Sequence, residues 1–253
     1  MDVIINVAAG TGFLFLMTVL GASMIFLFKP LNTGRFAKII LGFSAGVMLS
    51  TSVFALLIPA MQEVSGIKGI IFVIVGFSLG CIVLIATDEM IGIKSKKKKS
   101  SAGLLMLAMT LHNIPEGITV GLACATYAAH PEDGGLLYAT IVLAIGIGIQ
   151  NFPETTALAV TFMDDGYSKK KSFFLSTLSG VVEPVFGILA VYLASYIQPV
   201  MSFLLAYAAG TMLHVTIEEL IPDVQVDNRR HLGTVGIMSG ILLMLILDMF
   251  QGL

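Results

Sequence analysis

Long apolar runs, interrupted by short clusters of charged residues and by Pro and Gly, dominate the chain. Cutting at these interruptions leaves eight apolar segments, each near or above the ~20 residues that a helix needs to cross a bilayer. Because lipid offers no hydrogen-bond partner to exposed backbone, each segment is predicted to be a transmembrane helix. Numbered 1 to 8, they span residues 3–28, 36–61, 68–93, 102–128, 135–163, 172–197, 201–222 and 232–251.

The composition agrees with an all-α integral membrane protein. Hydrophobic residues make up 57% of the 253 residues and charged residues only 12%, whereas about a quarter of a soluble domain is charged. The connections between segments are short, which leaves no room for a soluble domain. We therefore expect one transmembrane domain over residues 1–253, with the lipid bilayer as its surroundings and no nucleic-acid partner.

The basic residues indicate how the helices are oriented. Of the 14 Lys and Arg, all except Lys68 fall between segments 1 and 2, 3 and 4, 5 and 6, or 7 and 8, or, for Lys38, in the first turn of segment 2. Cytoplasmic loops are the ones enriched in Lys and Arg. This distribution predicts eight spans with both termini extracytoplasmic, and we expect a multi-pass protein of the cell (inner) membrane.

Two strings recur in segments 2 and 7. Residues 43–49 (FSAGVML) precede Leu57-Ile58-Pro59, and residues 207–213 (YAAGTML) precede Leu220-Ile221-Pro222. The predicted topology runs these segments in opposite directions, which favours a 3+2+3 inverted repeat, a recurring plan in transporters with a midplane site. Chance recurrence in Gly- and Ala-rich helices is the alternative, since aligning the prolines needs a one-residue gap.

A second pair of strings carries the polar chemistry. Residues 112–117 (HNIPEG) in segment 4 match residues 150–154 (QNFPE) in segment 5. His112 and Glu116 are four residues apart and share a helix face, as do Gln150 and Glu154. Each pair offers one neutral and one anionic ligand. The two asparagines that follow the first member of each pair, Asn113 and Asn151, lie on the flank of the same face.

Three glutamates, Glu116, Glu154 and Glu183, are predicted to lie deep in the membrane without a nearby Lys or Arg. A charged side chain at the bilayer centre costs about 2.5–3.5 kcal/mol, so each needs protonation, water or a bound cation. A proline adjoins each acid, and inside a helix it frees the carbonyl four residues earlier. The expected freed carbonyls are those of Leu111, Ile149 and Gly180.

Imidazole, amides and carboxylates without a thiolate suit Zn(II), Fe(II), Mn(II) or Cd(II). A polar network that only locks helix packing is the structural alternative. A proton relay in a non-metal transporter is the functional alternative, although it would favour a deep basic residue. The chain has no HExxH string, which argues against an intramembrane metallohydrolase and for a protein that is not an enzyme. His214 and Glu218, also four apart, form a second group that could serve as an inward exit path.

These strings, with residues 180–184 (GVVEP) and 218–222 (EELIP), resemble the ZIP (Zrt/Irt-like protein) metal transporters, in particular their prokaryotic GufA-like branch. The resemblance implies a transporter that moves zinc or a related divalent metal toward the cytoplasm, as a homodimer and by an elevator-like movement. The metal is its substrate, and no catalytic cofactor is expected. The resemblance also implies the roles of particular residues. His112, Glu116, Gln150 and Glu154 resemble a primary metal site, and Asn113, Asn151 and Glu183 a second site bridged by Glu116 and Glu154.

Overall fold

The computed structural model describes residues 2–27, 36–62, 66–94, 101–225 and 231–251, and nearly all of them are helical. Most of the basic residues behind the predicted orientation, among them Lys29, Arg35 and residues 96–99, lie outside the described residues. So do the last residue of predicted segment 1 and the pair Arg229 and Arg230.

The described residues form helices with local departures from α-helical geometry. The first four are α1 (Asp2–Ser23), which ends in a 3-10 turn at Met24–Phe26; α2 (Phe36–Thr51), continued by a π-helical segment at Ser52–Leu57 and by Ile58–Gln62; α3 (Gly66–Lys94); and α4 (Ser101–Ala129). The others are α5 (Gly134–Asp164); α6 in two halves, Lys169–Ser179 and Val182–Ile197; α7 (Met201–Val215), continued by a π-helical segment at Thr216–Leu220 and by Ile221–Gln225; and α8 (Leu232–Gln251).

Helix α6 differs from its prediction. A single helix over 172–197 was expected, but the first half ends at Ser179 and the second begins at Val182. Pro184 therefore lies in a first helical turn, where a missing N–H costs nothing. The prediction that the Gly180 carbonyl is free was wrong, because its oxygen accepts a hydrogen bond from the backbone N–H of Glu183 at 3.1 Å.

Five helical stretches among the described residues are long and apolar enough to cross a membrane. They are Val3–Phe26, Lys38–Gln62, Gly66–Thr87, Gly134–Asp164 and Lys169–Ala194. A shorter apolar helix covers Leu232–Leu247. The chain is thus an all-α, multi-pass membrane protein.

Four helix pairs make the most extensive contacts: α2 with α8, α3 with α7, α1 with α5, and α4 with α6. Helices α4 and α5 also contact each other and both contact α1. One apolar core joins α2, α3, α4, α5 and α7, and a second joins α1, α4 and α5. Helices α4 and α5 therefore contribute to both cores and lie between them.

The ends of α4 and α5 set their register. The backbone N–H of Ala102, at the start of α4, donates to the Asp165 carboxylate, directly after the end of α5, at 3.2 Å. At the opposite ends, Asp133 accepts from the backbone N–H groups of Gly135 and Leu136, which caps α5. The two helices form an antiparallel hairpin.

Candidate metal site

The antiparallel register of α4 and α5 brings the two polar strings to the same depth. His112 lies ten residues after Ala102, and Glu154 lies eleven residues before Asp165, which is about 15 Å along each helix from the shared end. Both helices continue through Pro115 and Pro153. All seven side chains of the predicted site are at most 3% exposed: His112, Asn113, Glu116, Gln150, Asn151, Glu154 and Glu183.

His112 is held at both ring nitrogens. Its Nδ1 lies 3.1 Å from the carbonyl oxygen of Ala108, and its Nε2 lies 3.2 Å from the Glu154 carboxylate. A carbonyl oxygen can only accept, so Nδ1 donates to Ala108, and the hydrogen bond between Nε2 and Glu154 needs a proton on one of these two atoms. Metal-binding histidines use this arrangement, in which one N–H donates to a carbonyl and orients the other nitrogen toward the metal.

A hydrogen-bonded chain links α2, α5 and α4. The hydroxyl of Thr51 donates to Gln150 Oε1 at 2.8 Å, and Gln150 Nε2 donates to Glu116 Oε1 at 2.5 Å. Thr51 is completely buried at the point where α2 becomes π-helical. Gln150 is therefore held between an acid and a hydroxyl group.

The break in α6 completes the cluster on its other side. Asn151 Nδ2 donates to Glu183 Oε1 at 2.8 Å, and Glu183 lies in the first turn of the second half of α6. Asn113 Nδ2 donates to the backbone carbonyl of Ser179 at 3.1 Å. Because Ser179 ends the first half of α6, its carbonyl has lost its helical partner. Both asparagines thus tie α6 to the hairpin.

Gly117 lets α4 approach α6 closely enough for these contacts. A Cβ added at Gly117 would overlap the backbone of Glu183, and one added at Gly121 would overlap the backbone of Gly187. Small residues four apart on facing helices allow this close approach in membrane proteins. The backbone of Glu183 therefore packs directly beside the residue that follows Glu116.

Five oxygen atoms of the cluster have no hydrogen-bond partner in the described part of the chain, although all are buried. They are Asn113 Oδ1, Glu116 Oε2, Asn151 Oδ1, Glu154 Oε1 and Glu183 Oε2. Buried polar atoms are otherwise nearly always paired, because an unpaired one costs about 1–3 kcal/mol. All five are acceptors, so a cation among them would satisfy several at once.

The cluster is not a ready-made centre of acids and histidine alone. Among the described residues, no group of three or more His, Cys, Asp or Glu side chains is arranged to hold a metal ion. Amides instead alternate with acids, as in the pairs formed by Gln150 with Glu116 and by Asn151 with Glu183. Any metal bound here must therefore displace or recruit amide groups.

The second predicted group has a different environment. His214 is half-buried near the end of the α-helical part of α7, and Glu218 is exposed within the π-helical segment. Neither side chain has a hydrogen bond or ion pair with the described residues of the cluster. The structure brings the seven buried residues together and leaves these two outside.

Sequence reasoning missed two participants. Thr51 lies in the polar triplet Ser50-Thr51-Ser52 inside an apolar helix, which was a usable signal. Ser179 takes part through its backbone carbonyl, so no pattern of side chains in the sequence predicts it.

Known proteins with similar sequences bear on this cluster. A family model described as "ZIP Zinc transporter" matches residues 94–248. The chain is 36% identical over 216 residues to zinc transporter GufA of Myxococcus xanthus, covering 79% of this chain and 81% of GufA. It is 31% identical over 256 residues to zinc transporter ZupT of Chlorobaculum parvum, covering 90% of this chain and 91% of ZupT.

A human protein is similar over nearly the whole chain. Zinc transporter ZIP11 of Homo sapiens is 27% identical over 332 residues, covering 96% of each chain. The family match includes both polar strings, and the similarity to GufA and ZupT extends over more than three quarters of the chain. The resemblance found in the sequence is confirmed, and the chain belongs to the ZIP family.

Proposed function

We propose that this ZIP family member transports a divalent transition metal across the membrane through the buried cluster of α4, α5 and α6. The observation that carries the proposal is the set of five buried acceptor oxygens without partners in the described part of the chain, in a cluster that also holds the His112 imidazole. Zinc is the first candidate substrate, because GufA, ZupT and ZIP11 are named zinc transporters. Iron(II), manganese and cadmium are further candidates, since imidazole, carboxylate and amide ligands suit them too.

The cluster divides into two proposed metal positions. His112, Glu116, Gln150 and Glu154 form the primary position. Asn113, Asn151 and Glu183 form the second, which shares Glu116 and Glu154 with the first. The hydrogen bond from Asn151 to Glu183 supports the grouping of the second position.

Transport is proposed to run toward the cytoplasm in the cell inner membrane, with both termini outside. The direction is what the resemblance to the ZIP family implies. The support for both termini outside is the charge distribution, because nearly all Lys and Arg fall in alternate loops. His214 and Glu218 are proposed to line an inward exit path. His214 is half-buried and Glu218 is exposed, which supports a position for both outside the buried site.

The eight-span, 3+2+3 arrangement in one domain is proposed on the pattern of contacts. Exchanging α2 with α7 and α3 with α8 converts the pair α2–α8 into α7–α3. Exchanging α1 with α6 and α4 with α5 likewise converts α1–α5 into α6–α4. All four of the most extensive contacts therefore obey one symmetry, as an inverted repeat requires.

Local features repeat in the same order, with a one-residue gap. Helices α2 and α7 each contain a π-helical segment followed by a short α-helix that begins with Ile-Pro. Gly76 and Gly80 of α3 pack on the backbone of α7, and Gly236 and Gly240 of α8 pack on the backbone of α2. These matched features support the repeat against chance recurrence of small residues.

A homodimer is proposed as the assembly. The support is the resemblance to the ZIP family, and the exposed apolar side chains of α3, among them Ile67, Ile70 and Ile74, form a face that lipid or a second copy can cover. The mass of the protein in detergent, measured by light scattering with the detergent contribution subtracted, distinguishes a dimer from a monomer.

The test of transport uses purified protein in lipid vesicles. Wild-type protein is expected to give zinc uptake above that of empty vesicles, and the Glu116→Ala, Glu154→Ala double variant is expected to give none. Both acids are removed together because each could partly replace the other. Unchanged uptake by the double variant contradicts the site.

Two further measurements separate transport of metal from the proton relay. Elemental analysis of the purified protein before and after chelation measures whether it binds metal. The proton flux into the vesicles, measured under an imposed pH gradient and without metal, tests the relay. Metal binding together with metal uptake supports the proposal, whereas proton movement without metal binding supports the relay.

A further inference from the structure

The oxygen of Gln150 differs from the other oxygens of the cluster. Every other acid and amide of the predicted site has one buried oxygen without a partner. Gln150 Oε1 instead accepts a hydrogen bond from Thr51, and Gln150 Nε2 donates to Glu116. The atom of Gln150 that could bind a metal therefore already has a partner on α2.

The neighbours of Gln150 determine which end of its amide faces which way. The amide nitrogen of Gln150, which can only donate, faces Glu116 Oε1. The oxygen must then face Thr51, whose hydroxyl can donate to it. Turning the amide over would set its oxygen against the carboxylate of Glu116. Both contacts are buried, so water does not compete for them.

We propose that Thr51 is a positioning residue that holds Gln150 as a hydrogen-bond donor to Glu116, and that a metal must displace this donor to reach the primary position. The inference rests on the proposed function, because it assigns a role to the metal-free state of the same site. Gln150 then serves in two ways. Without metal it partly satisfies an acid, and with metal it turns its oxygen away from Thr51 and toward the ion.

This competition lowers the affinity of the site for metal. The hydrogen bond from Thr51 stabilises only the metal-free arrangement, so its strength is subtracted from the free energy of metal binding. A net hydrogen bond corresponds to roughly a 2- to 10-fold change in a binding constant. A transporter must release its substrate as well as bind it, and a donor that returns to Glu116 favours release.

The experiment compares zinc affinity by isothermal titration calorimetry in purified full-length variants. Thr51→Val is expected to bind zinc roughly 2- to 10-fold more tightly than wild type. Thr51→Ser keeps the hydroxyl and is expected to bind as wild type does. In a Gln150→Ala background, Thr51→Val is expected to change nothing further, because the group on which Thr51 acts is absent.

Thr211→Val is the matched control. Thr211 is also completely buried, and its hydroxyl donates to the carbonyl of Ala208 within its own helix. This variant measures the effect of losing a buried hydroxyl elsewhere. If Thr51→Val fails to fold, as measured by thermal unfolding, Thr51→Ala replaces it and carries the same expectation.

Affinity that is unchanged or weaker in the folded Thr51 variant overturns the inference. An equal tightening in the Gln150→Ala background overturns it too. The Glu116→Ala, Glu154→Ala variant in the same assay separates this failure from that of the proposed function. If the double variant loses zinc binding while Thr51→Val binds as wild type does, only the role of Thr51 is wrong. If the double variant binds zinc as wild type does, the proposed site itself is wrong.

Discussion

Two histidines of this chain are followed four residues later by a glutamate, and their surroundings are opposite. His112 and Glu116 on α4 are completely or almost completely buried and are hydrogen bonded to side chains of α5. His214 is half-buried and Glu218 is exposed on α7. The same spacing thus occurs once inside a polar cluster and once outside it.

The four-residue spacing of His and Glu is therefore not enough to predict a buried polar cluster. The α4 pair meets a second polar string because α5 runs antiparallel beside it in matching register. The α7 pair has no such partner in the described residues. The geometry of α7 also changes between the two residues, since His214 lies in an α-helix and Glu218 in a π-helical segment. A π-helical segment has i→i+5 hydrogen bonds, so the spacing from His214 to Glu218 does not have the uniform α-helical geometry of the α4 pair.

The largest effect on zinc affinity is expected when the imidazole of each group is removed in turn. His112→Ala is expected to lower zinc affinity at least about 100-fold, because even outer partners of metal ligands contribute 10- to 100-fold. His214→Ala is expected to change affinity less than about threefold. Calorimetric titration of both variants with zinc checks the contrast. Equal losses in the two variants would show that the two groups bind metal alike.

A smaller effect is expected from separating α4 and α6. A methyl group at Gly117 overlaps the backbone of Glu183, so Gly117→Ala is expected to destabilise the protein by about 1–3 kcal/mol. It should also weaken zinc binding, because it moves Glu183 away from the hairpin. The melting temperature and the zinc affinity are the measurements.

Gly12→Ala on α1 is the control for this substitution. No atom lies within 4 Å of a Cβ at this position. The variant should therefore keep its zinc affinity and gain up to about 1 kcal/mol from helix propensity. Equal behaviour of the two alanine variants would mean that close packing at Gly117 does not support the cluster.

The helices and most residues of the proposed site could be predicted from the sequence. The helices follow from apolar length, and the four-residue spacings identify His112, Glu116, Gln150 and Glu154 without a structure. What links them is the repeated string on a neighbouring segment, which predicts that two polar faces meet. His214 lacks such a second string, and this was the available sign that its group differs.

The remaining features depend on tertiary contacts that leave no periodic pattern. Thr51 reaches Gln150 from a helix 99 residues away in the chain. At the break in α6, Asn113 Nδ2 donates to the Ser179 carbonyl, and only tertiary packing brings these two groups together. The π-helical segments of α2 and α7 likewise follow no pattern of apolar positions. The sequence therefore predicts the side chains of the proposed site but not the contacts that hold them.

X-ray absorption at the zinc edge of the zinc-loaded protein reports the atoms bound to the metal, and it therefore tests directly whether the buried cluster with His112 binds zinc. We expect nitrogen and oxygen ligands at about 2.0–2.2 Å, including one imidazole, and no sulfur at about 2.3 Å. The imidazole signal should disappear in His112→Ala and persist in His214→Ala. A sulfur ligand, or an imidazole signal that survives in His112→Ala, would contradict the account.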